Sequence, residues 1–215
     1  MYVYDEQSSG ISFSAFTFWG NLFLSILFAV AMGYVGVMYN ATLAPYTFAL
    51  WIVEFAMLLA VGFMRKRRSM SYAMAYGFTG LSGLVVGAGI GSNPMYMRVV
   101  GTSAIETLGL FAVLSLIAIL SGEVFMRFGK ALFAMLIALI IVDVISFFAF
   151  KTAADQLVLS SVTGLLFCGF ILYDVQRAYR KQHAETVPML IVNIYLDILN
   201  LFLSILNVNA FFSRK

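Results

Sequence analysis

Seven long apolar runs separated by short polar breaks fill the chain, and their lengths predict helices that cross a bilayer. A helix needs about 20 apolar residues to span a hydrocarbon core of about 30 Å. The runs place spans at 13–39, 45–64, 71–91, 99–121, 131–150, 156–176 and 187–208. Helix-breaking and capping residues sit at the junctions. Pro45 suits the start of the second span, and Asn93-Pro94 marks a turn before the fourth. Arg65-Lys66-Arg67-Arg68 closes the second span, and Thr186 with Pro188 opens the seventh. In the third span Gly83, Gly87 and Gly91 recur every four residues, a spacing that lets helix backbones approach closely and is read as packing. The spans use nearly all of the sequence, so residues 1–215 are read as one membrane domain of the all-α class.

The seventh run differs from the others. Asn193, Asp197, Asn200, Ser204 and Asn207 fall at steps of four, three, four and three, which on a helix is one line. A polar line along a lipid-embedded helix must be buried against polar partners or water. The seventh helix is therefore expected in the middle of the bundle. Hydrogen bonding between helices is the alternative use of the asparagines.

Composition agrees with the pattern. The chain is 62% hydrophobic and 11% charged, where a soluble domain carries about 25% charge. The net charge of +3 does not point to nucleic acid, because the bases cluster at span ends. With the N-terminus in the cytoplasm, the inner loops hold Arg65, Lys66, Arg67, Arg68, Arg127, Lys130, Arg177, Arg180 and Lys181. The outer side then holds only Arg98, Lys151, Arg214 and Lys215. The positive-inside rule favours that orientation, with the C-terminus outside, in a plasma or inner membrane if the source is bacterial. The first run follows Asp5 and Glu6, has no basic flank and is too long for a signal peptide, so it is read as retained. Cys168 is the sole cysteine, which excludes an intrachain disulfide.

Five of the ten carboxylates lie inside the runs: Glu54, Glu106, Asp143, Asp174 and Asp197. A charged side chain at mid-bilayer costs roughly 2.5–3.5 kcal/mol even on lenient scales, so such groups face a bundle interior or a watery cavity. No base lies as deep. A bundle lined with acids and lacking deep bases is a place for cations or protons. Asp174 precedes Arg177 by three residues, which also allows a simple interfacial ion pair. Glu54 and Arg65, eleven residues apart, share a face of the second helix. Glu106 lies seven residues into the fourth span and Asp143 seven from the end of the fifth, at similar depth if the helices are antiparallel. They make either an outer acidic station or two separate polar contacts.

Three short blocks carry a resemblance. Tyr195-Leu196-Asp197-Ile198-Leu199-Asn200-Leu201-Phe202 resembles the last-helix signature of the transmembrane Bax inhibitor motif family. Ile171-Leu172-Tyr173-Asp174 resembles its helix-six motif, and Val53-Glu54-Phe55-Ala56-Met57, ending in Met64-Arg65, its helix-two pattern. The resemblance covers nearly the whole chain. It implies two three-helix layers around a central C-terminal helix, and a pH-sensitive calcium leak as in bacterial members. It implies Asp174 and Asp197 as the pH sensor and gate, Arg65 as a latch and Glu54 as a pathway acid. Glu106 and Asp143 depart from the family pattern and are carried as further pathway acids with an open role.

The physics of such a pair stands apart from the resemblance. Two carboxyls in a poorly hydrated site cannot both ionise cheaply, and they titrate as one unit. A shared proton holds the helices together; losing it leaves like charges that repel, or that attract Arg65 or a divalent cation. Ca²⁺ takes 6–8 oxygens, so two aspartates make only a weak, transient, partly hydrated metal site. Weak binding suits a passing ion. One difficulty is depth. With the sixth span ending at 176, Asp174 falls about two turns, roughly 10 Å, nearer the cytoplasm than Asp197. The two meet only if the sixth helix runs past Arg177 or the seventh begins late.

No cofactor is expected; calcium or another cation is the permeant ion and the bilayer the standing partner. An alternative class is a membrane scaffold that regulates a membrane protease or cell-death machinery without ion flux. A further alternative is a proton-coupled transporter, although no inverted repeat is evident. Enzymes are disfavoured. The last helix has no lysine for a retinal, and the sole histidine, His183, sits in a loop where neither a haem nor a hydrolase has use for it.

Overall fold

A computed structural model describes residues 15–63, 68–149, 152–180 and 187–214. Among them, seven helices are long and apolar enough to cross a membrane. They are α1 (Ala15–Met38), α2 (Thr47–Phe63), α3 (Arg68–Gly91), α4 (Pro94–Leu120), α5 (Gly129–Ala149), α6 (Ala153–Arg180) and α7 (Val187–Phe212). A four-residue helix, Asn40–Leu43, and a 3₁₀ turn, Ala44–Tyr46, join α1 to α2. Pro45 sits in that turn rather than opening α2.

Other boundaries shift for local reasons. Asn93 caps α4: its side-chain oxygen accepts from the Met95 amide at 3.0 Å, and Pro94 takes the first helical position. The helix thus starts five residues before the expected 99. α6 continues four residues beyond the expected 176 and α7 four beyond the expected 208. Gly122, at φ +68°, supplies the left-handed turn that follows α4.

α3 packs against α1 and α2, and α6 packs against α4 and α5. α7 lies between these two groups and touches α1, α2, α3, α4 and α6. The architecture is two three-helix layers around a central C-terminal helix. α7 buries Leu190, Ile191, Val192, Ile194, Leu201 and Leu206 almost completely. The outward faces of the other helices carry large apolar side chains such as Phe48, Phe63, Ile105, Leu120 and Leu165, as a lipid-facing surface requires.

The α1–α3 contact is the tightest, and glycine is the cause. A Cβ at Gly83 would run into the Ala29 carbonyl, and one at Gly87 into the Gly33 carbonyl. From the other side, a Cβ at Gly36 would meet the Leu84 carbonyl. The four-residue glycine repeat of α3 is a backbone-on-backbone seam, as its spacing predicts.

Candidate functional site: a buried carboxyl pair and its polar neighbours

α7 presents Asp197 to α6 and α6 presents Asp174 to α7. Both are buried, at 4% and 6% exposure, and their carboxyls face each other closely enough to interact. A hydrogen bond between two carboxyl groups needs a proton on one of them, because a carboxylate only accepts. The depth difficulty dissolves with the longer α6. Six residues, about 9 Å, separate Asp174 from Arg180, and ten residues, about 15 Å, separate Val187 from Asp197. The remaining offset of about 6 Å lies within reach of two packed helices and their side chains.

The surroundings are apolar. Ile171, Val175, Ile194 and Ile198 belong to one buried cluster with Phe18 and Leu22 of α1. Among the described residues, Oδ2 of Asp197 has no hydrogen-bond partner. Arg177 supplies the charge nearest to the pair among the described residues: its Nη1 lies 3.6 Å from Asp174 Oδ1. The same guanidinium lies over the Tyr173 ring, 5.7 Å from its centroid. Asp174 therefore takes part in both arrangements that its spacing allows, the i+3 ion pair and the contact with Asp197. Arg65 and His183 lie outside the described residues.

Glu54 of α2 belongs to a second polar group, on the opposite side of α7. Its carboxyl faces the fully buried Ser82 hydroxyl of α3. The Tyr195 phenol of α7 faces the same hydroxyl, which meets strict hydrogen-bond geometry to neither. The phenol also donates to the Thr79 carbonyl at 3.3 Å. Ser82 and Tyr195 were not legible as site residues: the serine is one of many small residues on α3, and the tyrosine reads as part of an apolar face.

The stripe of α7 divides its tasks. Asn200 donates to the Leu196 carbonyl and the Ser204 hydroxyl to the Asn200 carbonyl, both at 2.8 Å and both within α7. Asn207 Oδ1 accepts from the Tyr96 hydroxyl of α4 at 2.7 Å, a true interhelical contact. Asn193 is half-buried. Between α4, α6 and α7 a hollow of about 400 Å³ opens onto Asn200, Ser204 and Asn207.

Glu106 lies on the outside of α4, where Oε2 accepts from Asn209 Nδ2 at 2.7 Å; the same amide donates to the buried Ser103 hydroxyl at 3.0 Å. Its partner is thus an amide of α7. Asp143 lies on α5, and its side chain is outside the description. Among the described residues no group of three or more Asp, Glu, His or Cys side chains gathers for a metal.

Gln176 was read only as the last residue of its span, yet it is fully buried and makes four hydrogen bonds. Oε1 accepts from the amides of Phe125 and Met126 at 2.8 and 3.0 Å. Nε2 donates to the Ala118 carbonyl at 3.1 Å and the Ser121 hydroxyl at 3.2 Å. It ties α6, two residues beyond Asp174, to the end of α4 and so fixes the height of that carboxyl.

Comparison with known proteins follows the same lines. Residues 16–214 match the family model described as inhibitor of apoptosis-promoting Bax1. An uncharacterized protein of Campylobacter jejuni is 31% identical over 208 residues, covering 90% of this chain and 87% of its own. Mouse protein lifeguard 4 is 31% identical over 160 residues, 72% of this chain and 66% of its own. Bax inhibitor 1 of Schizosaccharomyces pombe is 31% identical over 138 residues, 64% of this chain and 51% of its own.

Proposed function

The chain belongs to the family of inhibitors of apoptosis-promoting Bax1, and from that premise we propose that it is a pH-sensitive leak for calcium and other cations, gated by Asp174 and Asp197. The observation that carries the reading is the contact of two buried carboxyls on different helices. Held by a proton, the pair contributes a charge-assisted hydrogen bond of about 1.5–3 kcal/mol. Without the proton, two charges about 4 Å apart repel by about 4 kcal/mol at an effective dielectric near 20. Together the two terms reach the roughly 5.5 kcal/mol that takes a two-state equilibrium from 1:99 to 99:1. Proton loss therefore drives α6 and α7 apart, or hands the carboxylates to Arg65 as a latch or to a passing cation.

A divalent ion at the pair receives at most four carboxylate oxygens and keeps water for the rest of its shell, which makes the site weak and transient. Glu54, beside Ser82 and Tyr195, is a pathway acid in the other layer; Glu106 and Asp143 are assigned as further acids toward the outer side. In this reading the N-terminus is cytoplasmic, as the positive-inside count favours. Purified protein in dye-loaded vesicles tests the reading: calcium enters faster than into protein-free vesicles, and equal rates would overturn it.

The name of the fission-yeast relative, Bax inhibitor 1, favours a second reading, a membrane regulator of cell-death or stress machinery that acts through a protein partner. Protein that is inert in vesicles and binds one defined partner supports that reading against the leak.

A further inference from the structure

The hollow between α4, α6 and α7 is polar but carries no acid. Hydroxyls and amides line it: Ser160 and Thr163 from α6, Asn200, Ser204 and Asn207 from α7, and Tyr96 from α4. Its single charged residue is Arg214, exposed just past the end of α7. The neighbouring carboxylates are engaged elsewhere. Asp155 accepts from the amide and the hydroxyl of Thr152, and Glu106 accepts from Asn209. Neither lines the space. Asn207 spends its oxygen on Tyr96, and its Nδ2 has no protein partner among the described residues.

A polar space of about 400 Å³ holds on the order of ten water molecules. Its deepest α7 residue, Asn200, is one helical turn from Asp197. We infer that this hollow is a hydrated vestibule leading toward the carboxyl pair from the face where α7 ends, and that Arg214 is a selectivity residue that holds cations back at its mouth. Neutral walls hydrogen-bond water and uncharged or anionic solutes, and they offer a cation no charge to replace its hydration. A positive charge at the rim lowers the local concentration of divalent cations while leaving neutral solutes alone, and salt screens the effect. The vestibule limits the leak at one face. What it leads to rests on the leak reading; its wetness and its charge preference do not.

Reaction of single cysteines separates the two. In a Cys168→Ser background, Thr163→Cys and Ser204→Cys place reporters on opposite walls. Each variant, purified and monodisperse in detergent, is treated with methanethiosulfonate reagents of similar size bearing a sulfonate or a trimethylammonium group. Rates are normalised to those of a free thiol. Both reporters react, and the sulfonate reacts about threefold to tenfold faster than the ammonium. Arg214→Glu reverses that order, and high salt levels it. Unreactive cysteines at both positions, or equal normalised rates that Arg214→Glu leaves unchanged, would overturn the inference. The outcome is read without ion flux, so a silent vesicle assay with a charge-selective reporter sinks the leak alone.

Discussion

Tyr195 and Asp197 stand two residues apart on α7 and serve opposite layers. The phenol donates to Thr79 of α3, while the carboxyl meets Asp174 of α6. Two residues turn a helix by about 200°, so neighbours at that spacing point in nearly opposite directions. α7 can do this because it is buried on both sides, and a shift along its axis disturbs both contacts at once.

The two contacts are nevertheless separable by mutation. Tyr195→Phe keeps the ring in its buried cluster and removes only the bond to Thr79 and the approach to Ser82. It is expected to cost about 0.5–1.5 kcal/mol of stability. The pH dependence of flux, which belongs to the other face, stays as in the wild type. Thermal unfolding in detergent and a pH series of vesicle assays read the two effects. A Tyr195→Phe protein that loses its pH response would show that the faces are not independent.

Gln176 fixes the height of Asp174. Gln176→Leu leaves the half-buried amides of Phe125 and Met126 and the buried Ala118 carbonyl without this partner. Stability falls by about 1–3 kcal/mol. Gln176→Glu keeps the acceptor for the two amides but buries a carboxyl against the Ala118 carbonyl, so at neutral pH it falls at or below leucine and recovers toward acid pH, where a protonated carboxyl can donate. Unfolding midpoints of the three proteins give that ranking or refute it.

The glycine seam tolerates almost nothing. Gly87→Val sets a branched side chain against the Gly33 carbonyl, whereas Gly101→Val on α4 has open space around it. The first is expected to cost about 1–3 kcal/mol or to prevent folding, and the second to lie within about 0.5 kcal/mol of the wild type. Yield of monodisperse protein and its unfolding midpoint are the readouts.

The seven spans were legible because bilayer thickness writes itself into run length. The helix ends were not, because hydropathy marks where lipid stops rather than where hydrogen bonding stops. That distinction hid the site's geometry. α6 continues through Arg177 to Arg180 in polar sequence, and only this extra turn brings Asp174 toward the depth of Asp197. α7 likewise runs past 208, and Asn209, the partner of Glu106, lies one residue beyond the expected end. The stripe on α7 correctly placed that helix between two layers. It did not reveal that Asn200 and Ser204 bond their own helix while Asn207 reaches α4. The glycine repeat was readable because its demand is purely steric.

Calcium flux into dye-loaded vesicles, measured from acid to alkaline pH for the wild type, Asp174→Asn and Asp197→Asn, bears most directly on the carboxyl pair. An asparagine keeps the size of the side chain and donates permanently, so the helices stay joined whatever the pH. The wild-type rate is expected to change several-fold across the series, and the two variants to vary by less than about twofold. Variants that follow the wild-type profile would mean that protons act elsewhere and that the pair is not the gate.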